Sequence, residues 1–100
     1  RGENDTKHIC PLQLEVIRRC ILLYTDPGEI VFSPFAGIGS EGFMALGGKS
    51  TKTGRSIADP RRFYGFEIKD EYVAAACQNL AKAVRQSNAS KADLFAEAAP

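Results

Sequence analysis

The chain has 100 residues, of which 44% are hydrophobic and 25% charged, so it suffices for one small globular domain and is too apolar to be wholly disordered. Its formal net charge of +1 excludes a dedicated polybasic protein that binds nucleic acid or membranes by charge alone, but leaves a local basic patch open. No apolar run approaches the ~20 residues of a transmembrane helix, and the cysteines lack metal-ligand spacing.

The first predicted element is a helix from Pro11 to Tyr24, because apolar residues recur there at helical spacing. Residues 26–28 (DPG) end this helix, since proline disfavours helical geometry in the residue before it. Residues 30–32 (IVF) form a short unbroken apolar run, which predicts a strand buried on both faces of a parallel sheet. A glycine-rich turn over residues 34–40 and a short helix over residues 41–46 complete this half of the chain.

The second half begins with a polar loop over residues 49–60, which has neither helical nor strand periodicity. Residues 62–68 (RFYGFEI) form the second predicted strand, and Asp70 begins a long helix. We expect the remaining segment, Asn88 to Pro100, to be frayed apart from one or two helical turns. The expected apolar stripe of the long helix consists of Tyr72, Val73, Ala76, Cys77, Leu80, Ala81 and Val84.

This order of elements predicts the α/β class, with parallel strands and flanking helices. Two strands alone make a poor sheet, because both faces and both edges need cover. We therefore expect a partial Rossmann-like fold that is a fragment of a larger doubly wound sheet. The three cysteines are an odd number, which indicates reduced thiols; we expect Cys20 and Cys77 to be buried on helix faces.

The chemically distinctive residues follow the two strands, at the edge of the sheet where ligands of open α/β folds bind. A glycine-rich turn lets a ligand approach the backbone closely, and the helix N-terminus after it favours an anion. Glu67, near the end of the second strand, is placed to accept hydrogen bonds from a ribose diol. Together these features predict a nucleoside-containing cofactor whose adenine lies against Ile68.

Two other motifs compete for the same residues. Residues 37–42 match the dinucleotide fingerprint G-x-G-x-x-G, but four residues separate the strand from the first glycine, and Glu67 lies 28 positions beyond Gly39 rather than about 20. Residues 48–50 (GKS) resemble the end of a phosphate-binding P-loop, but position 43 is Phe and no strand precedes the segment. The P-loop is rejected, and a fragment of a nicotinamide-dependent oxidoreductase stays open as an alternative.

Residues 33–40 (SPFAGIGS) resemble the D-P-F-x-G-S-G-T cofactor motif of S-adenosylmethionine-dependent DNA amino-methyltransferases, which modify N6 of adenine or N4 of cytosine. Upstream, residues 7–14 (KHICPLQL) are similar to the family's H-P-T-Q-K-P-L segment. Downstream, residues 64–68 (YGFEI) followed by Tyr72 are similar to its G-I-E-I…Y segment. The resemblance covers residues 7–85 and keeps the family's motif order, which makes it far more specific than one glycine pattern.

The resemblance implies a cofactor-binding role for each residue that matches a motif. It implies backbone contacts to the methionine part of the cofactor, a wall beside its sulfonium, and a carboxylate on its ribose hydroxyls. The implied backbone contacts come from Ala36, Gly37 and Gly39, with Ser40 near the carboxylate of the methionine part. Phe35 is the implied wall, Glu67 binds the ribose and Ile68 packs on the adenine. Ile9, Cys10 and Pro11 are implied to close the pocket, and Ser33 stands where the motif has Asp.

The family's catalytic Asp/Asn/Ser-Pro-Pro-aromatic loop has no counterpart, because these 100 residues contain no Pro-Pro pair. In the family's beta arrangement that loop and the DNA-reading segment precede the motifs seen here. We therefore expect a C-terminal cofactor-binding part that is inactive alone, with residues 1–10 as lead-in, 11–87 as the cofactor-binding region and 88–100 as a flexible tail. A module that kept the fold but lost the site is the remaining alternative.

The resemblance implies two partners: DNA, through the intact enzyme, and the missing N-terminal catalytic and target-recognition part. It also implies a cytoplasmic enzyme that is encoded by a bacterium or a phage. No membrane is expected, and exposed sheet edges would favour self-association of the fragment. The loop after residue 48 is basic, and Lys49, Lys52 and Arg55 are candidates for DNA-phosphate contacts. A solvated loop is the favoured interpretation of these charges.

Overall fold

The computed structural model describes residues 11–50 and 52–98. Helix α1 spans Pro11–Tyr24, and β1 spans Ile30–Ser33. The remaining elements are α2 (Ser40–Ala45), β2 (Arg62–Gly65) and α3 (Asp70–Ala98). The predicted bounds of α1 and the predicted start of α3 are confirmed, and the α/β class is confirmed with it. Among the described helices, none combines the length and apolar character needed to cross a lipid bilayer.

The two strands pair in parallel, and α2 connects them across one face of the sheet. The register places Val31 opposite Phe63, and both side chains are partly buried against the core below α2. Side chains of a strand alternate between the two faces, so Val31 and Phe63 define the covered face. Because both strands run in the same direction, the turn after β1 and the end of β2 lie at one edge of the sheet.

Helix α2 is the centre of the fold, since it contacts both strands and both other helices. It ends in a Schellman arrangement: Gly48 N–H donates to the Phe43 carbonyl, and Gly47 N–H donates to the Met44 carbonyl. Gly47 has φ of 97°, a left-handed conformation that glycine adopts without a Cβ penalty. The buried apolar core consists of Leu14, Ile21, Phe43, Met44, Ala45, Ile57 and Ala83.

The opposite face of the sheet is exposed within the described residues, so the predicted burial of β1 on both faces is wrong. Ile30 and Phe32 of β1 keep 44% and 54% of their surface accessible, and Tyr64 of β2 keeps 59%. An apolar groove of about 370 Å³ lies between β1 and the adjoining face of α1. A local run of apolar residues predicts a strand but cannot show whether a second layer of protein is present in this chain.

Helix α3 continues to Ala98, so residues 88–98 are helical throughout, and the predicted frayed segment with one or two helical turns is wrong for them. No Gly or Pro interrupts these residues, and their alanines favour the helix strongly. The predicted apolar stripe of α3 is rotated as well, because Ala76 and Ala83 are buried while Val73 and Val84 are about two-fifths exposed.

The two cysteines among the described residues are exposed, which corrects their predicted burial. Cys20 lies on α1 and Cys77 on α3, each beside the stripe that its helix buries. On α1 that stripe is narrow: Leu14 and Ile21 are buried, whereas Tyr24 is 81% exposed. The third cysteine, Cys10, lies outside the described residues.

An ion pair between Glu15 and Arg18 lies on α1. Arg18 donates to both carboxylate oxygens of Glu15, at 2.9 and 2.8 Å, and the two side chains are each only 13% exposed. Arg19 Nε adds a third hydrogen bond at 3.3 Å. The hydrogen bond from Arg18, followed by the charges of both arginines, lowers the pKa of Glu15 from 4.5 to about 2, against the opposing effect of desolvation.

We expect Glu15→Gln to lower the free energy of unfolding at pH 7 and to lose this effect in acid. A carboxyl whose pKa is lower in the folded state adds stability above its unfolded pKa of 4.5, and that stability disappears as the pH falls toward 2. Urea unfolding of both proteins at several pH values measures the difference, with Glu71→Gln at an exposed position as the control. A difference that does not shrink below pH 4.5 would contradict the ion pair.

Candidate cofactor-binding site

The glycine-rich turn after β1 is held in one conformation by its own backbone and by the neighbouring strand. Ala36 N–H donates to the Phe66 carbonyl at 2.8 Å, and Gly39 N–H donates to the Ala36 carbonyl at 2.9 Å. Gly37 and Gly39 have φ of 57° and 88°, which is the left-handed region. These two positions need glycine because an L side chain there is strained.

Glu67, which follows β2, also stabilises the turn. Strand β2 ends at Gly65 rather than at the predicted residue 68, and Glu67 therefore lies in the connection to α3. Its Oε1 accepts the Gly37 N–H at 2.9 Å, and its Oε2 accepts the Lys69 N–H at 3.0 Å. The Lys69 N–H, and then the Gly37 N–H, lower the pKa of Glu67, although desolvation opposes them. The carboxylate is therefore ionised at neutral pH and keeps lone pairs for further donors.

One peptide of the turn stays available to a ligand. Within the described residues, neither the Gly37 carbonyl nor the Ile38 N–H takes part in a hydrogen bond, whereas the peptides on both sides do. Apart from its two chain neighbours, no atom of the described residues lies within 4 Å of a Cβ built on Gly37, so these residues leave the space beside this glycine open. The turn thus presents a backbone donor, a backbone acceptor and the Glu67 carboxylate around one open space.

Helix α3 supports the turn from behind through two residues that the sequence analysis did not assign to the site. Asn79 Nδ2 donates to the Ile38 carbonyl at 2.8 Å. A Cβ on Gly39 would lie 3.2 Å from the Cβ of Ala76, so α3 packs directly on this glycine. The available signal was helical spacing, because Ala76, Asn79 and Ala83 follow one another on one face of a helix.

The structure gathers only part of the predicted cofactor set around the turn. Ala36, Gly39 and Ser40 are buried there. Phe35 and Ile68 adjoin the turn and Glu67 along the chain, but they are 86% and 95% exposed and form no wall within the described residues. Of the remaining predicted residues, Ser33 accepts the Phe66 N–H with its carbonyl, and Pro11 begins α1. Ile9 and Cys10 lie outside the described residues.

The candidate phosphate-binding residues Lys49, Lys52 and Arg55 lie at the opposite end of the sheet. Their loop connects the C-terminal end of α2 to the start of β2, whereas the glycine turn follows the end of β1. All three side chains belong to exposed residues, and the Lys49 N–H donates to the Gln86 side chain. A DNA contact made by this loop would therefore be separate from the glycine turn.

The chemistry of the turn suits a small organic molecule that carries hydroxyl and amino-acid groups. Glu67 can accept hydrogen bonds from a diol, and the Gly37–Ile38 peptide can accept from an ammonium and donate to a carboxylate. The described residues contain no group of three His, Cys, Asp or Glu side chains that could hold a metal ion.

Comparison with known families gives a match to DNA methylases, through the family model of N6/N4 methyltransferases, over residues 1–78. The matched segment contains the glycine turn, Glu67 and the first part of α3 up to Gln78. Neither alternative considered above, the nicotinamide-dependent oxidoreductase or the module without a site, finds support in this match.

Curated relatives agree with the family match. The chain is 35% identical over 86 residues to the type II methyltransferase M.BglII of Bacillus subtilis, which covers 86% of this chain and 21% of that protein. It is 33% identical over 73 residues to the type II methyltransferase M.Cfr9I of Citrobacter freundii, and this alignment covers 73% of this chain and 21% of that protein. It is 35% identical over 65 residues to the DNA adenine methyltransferase YhdJ of Escherichia coli (strain K12), and this alignment covers 65% of this chain and 18% of that protein.

The chain spans about a fifth of the length of these curated relatives. No solved structure gives a significant match.

Proposed function

Because this chain belongs to the DNA methylase family of N6/N4 methyltransferases, we propose that its glycine turn and Glu67 form the S-adenosylmethionine site of a DNA amino-methyltransferase. The contact between Glu67 Oε1 and the Gly37 N–H carries this proposal, because it joins the acidic end of one strand to the glycine turn of its neighbour. Ligands of open parallel α/β sheets bind at that edge, beyond the carboxyl ends of the strands.

Glu67 is proposed to hold the ribose of the cofactor. The backbone N–H groups of Gly37 and Lys69 orient the carboxylate and keep it ionised, so ribose hydroxyls can donate to its remaining lone pairs. The methionine end is proposed to meet the open Gly37–Ile38 peptide, with Ala36, Gly39 and Ser40 shaping the turn. Phe35 is proposed to cover the sulfonium and Ile68 the adenine, and because both residues are exposed, the Phe35 ring and the Ile68 methyl groups are free to do so. Ile9, Cys10 and Pro11 are proposed to close the pocket.

When bound, S-adenosylmethionine supplies an electrophilic methyl group, which the family transfers to the exocyclic N6 of adenine or N4 of cytosine. The residues of this chain would bind and orient the methyl donor. Contacts to the target base would come from a Pro-Pro-aromatic loop, which these 100 residues lack, so we propose that this chain alone does not methylate DNA.

DNA and the rest of a longer enzyme are the proposed partners, in the bacterial cytoplasm and in restriction–modification, as the type II relatives suggest. The uncovered sheet face and the apolar groove beside α1 support the protein partner, the rest of a longer enzyme, because protein surfaces seldom leave so much contiguous apolar area in water. The residues on the uncovered face are Ile30, Phe32, Tyr64 and Phe66.

Titration calorimetry of this chain with S-adenosylhomocysteine and, separately, with NAD tests the proposed cofactor. We expect binding of S-adenosylhomocysteine and no heat from NAD. Binding of NAD alone, or of neither nucleoside, would overturn the proposed function.

Substitution of Gly37 by alanine is expected to abolish measurable S-adenosylhomocysteine binding while the chain stays folded. The new methyl group would enter the open space beside the turn, where it touches none of the described residues beyond its chain neighbours but would meet a ligand. The cost to folding is about 1–2 kcal/mol, which is the strain of a left-handed alanine.

Gly54→Ala is a matched control for this prediction. Gly54 has φ of 70° and also has open space around its Cβ position, but it lies in the loop at the other end of the sheet. Both variants should lose similar stability in urea, and only Gly37→Ala should lose binding in calorimetry. Equal affinities for the two variants would show that the ligand does not lie on the turn.

A further inference from the structure

We propose that Asn79 is a positioning residue for the cofactor site, an inference that rests on the proposed function. Asn79 lies outside the residues that match the family's cofactor motifs, and it touches the site only through the backbone of the turn. Its Nδ2 donates to the Ile38 carbonyl at 2.8 Å, across 41 positions of sequence. The side chain is half-buried, on the face of α3 that packs against the turn.

The bond from Asn79 completes the restraint of the peptide between Ile38 and Gly39. The N–H of this peptide donates to the Ala36 carbonyl, and its carbonyl accepts from Asn79, so both ends are fixed. On the other side, Glu67 holds the Gly37 N–H. The peptide between Gly37 and Ile38 therefore lies between two fixed neighbours, and its donor and acceptor are held in position before a ligand arrives.

Preorganisation of this kind increases affinity, because the ligand does not have to order the turn when it binds. Two left-handed glycines in three residues make the turn otherwise adaptable, since glycine samples more backbone conformations than any other residue. Ala76 excludes movement of Gly39 toward α3, but packing alone does not fix the direction of the Ile38 carbonyl. The bond from Gly39 N–H to Ala36 orients this planar peptide, and the amide of Asn79 holds its carbonyl from the opposite side.

The test uses Asn79→Ala and Asn79→Asp in the 100-residue chain, with Gln86→Ala as the matched control. Gln86 is also a half-buried amide on α3 and also forms one hydrogen bond of 2.8 Å to another element, but its partner is the Lys49 N–H at the far end of the sheet. Asn79→Asp keeps the shape of the side chain and replaces the donor by a second acceptor, so it serves if Asn79→Ala fails to fold.

Two measurements are made on each variant: amide hydrogen exchange of Gly39 without ligand, and the affinity for S-adenosylhomocysteine by calorimetry at a temperature where circular dichroism shows a folded chain. We expect both Asn79 variants to exchange the Gly39 amide faster than Gln86→Ala and to bind about tenfold more weakly, as for the loss of one buried hydrogen bond. Gln86→Ala should keep the affinity of the parent within about twofold, which corresponds to the weakest net contribution of a single hydrogen bond, about 0.5 kcal/mol.

Three outcomes would overturn the inference. Unchanged exchange at Gly39 would show that Asn79 does not restrain the turn, and faster exchange with unchanged affinity would make the contact merely structural. An equal loss of affinity in Gln86→Ala would assign the effect to the stability of α3. Failure of the parent chain to bind S-adenosylhomocysteine contradicts the proposed function instead, and the exchange data distinguish the two failures because they need no ligand.

Discussion

Substitution of Gly42 by valine is expected to unfold the chain or to lower its free energy of unfolding by about 3 kcal/mol or more. Gly42 lies in α2, where a Cβ would come within 2.5 Å of Leu80 Cδ2 and 2.6 Å of Phe63 Cδ2. Contacts this short force the Leu80 side chain and the Phe63 ring to move, and valine adds two further methyl groups that the same space must hold. Chemical denaturation followed by circular dichroism measures the loss.

Gly42→Ala separates this crowding from helix propensity. Alanine is favoured over glycine in a helix by about 1 kcal/mol, so an alanine variant would be more stable if space were available. We expect a net loss instead, and we expect Leu80→Ala to recover part of it in the double variant, because it removes the nearest atom. A more stable Gly42→Ala protein would contradict the close packing of α2 on α3 and β2.

Substitution of Arg61 by methionine is expected to cost about 3 kcal/mol, because three partly buried hydrogen bonds lose their donor. Arg61 is only 5% exposed, and its guanidinium donates to the Thr25 hydroxyl at 2.9 Å, to the Thr25 carbonyl at 2.7 Å and to the Asp59 carbonyl at 2.6 Å. These bonds join the end of α1 to the segment that enters β2. Removal of the buried charge recovers some desolvation energy, but charge-assisted bonds of about 1.5–3 kcal/mol each outweigh it.

Arg62→Met is the matched control, since Arg62 is the next residue and is exposed. Its Nε makes one hydrogen bond, to the Gly28 carbonyl at 3.0 Å, and we expect a cost below about 1 kcal/mol. Arg61→Lys should recover only part of the loss, because an ammonium on a shorter stem cannot reproduce the fork of the guanidinium. Equal stability of Arg61→Met and Arg62→Met in urea would show that the three bonds do not hold in solution.

The basic loop illustrates how tertiary structure changes the interpretation of charge. Arg61 and Arg62 belong to the same basic run as Lys49, Lys52 and Arg55, and all five have the same charge in the sequence. The structure assigns Arg61 to the interior, where backbone carbonyls surround it. Lys52 and Arg55 remain on the surface, at the end of the sheet remote from the glycine turn.

The glycine turn and Glu67 could be placed together from the sequence, because that inference needs only local signals and one rule of topology. An unbroken apolar run marks the first strand and a run rich in aromatic residues marks the second, and a connecting helix makes them parallel. The carboxyl ends of parallel neighbours share one edge, so residues that follow the two strands must meet there. The contact between Gly37 and Glu67 fulfils this expectation, while the ligand at that contact stays a prediction.

The role of Asn79 was not predicted, because helical spacing places it on one face with Ala76 and Ala83 but does not show what that face contacts. The apolar pattern favoured a stripe that includes Val73, Ala76 and Val84 as the buried side of α3, whereas the structure buries Ala76 together with Ala83 and leaves Val73 and Val84 about two-fifths exposed.

The sequence by itself therefore determined which segments form helices and strands, where α1 and α3 begin, and which two features meet at the edge of the sheet. Hydrogen bonding along the backbone and hydrophobic periodicity are local properties, and they act on neighbouring residues. Only the tertiary structure decided which face of α3 is buried, that the sheet has one covered face, and that Arg61 lies inside. These depend on contacts between residues far apart in the chain, whose energies no single segment contains.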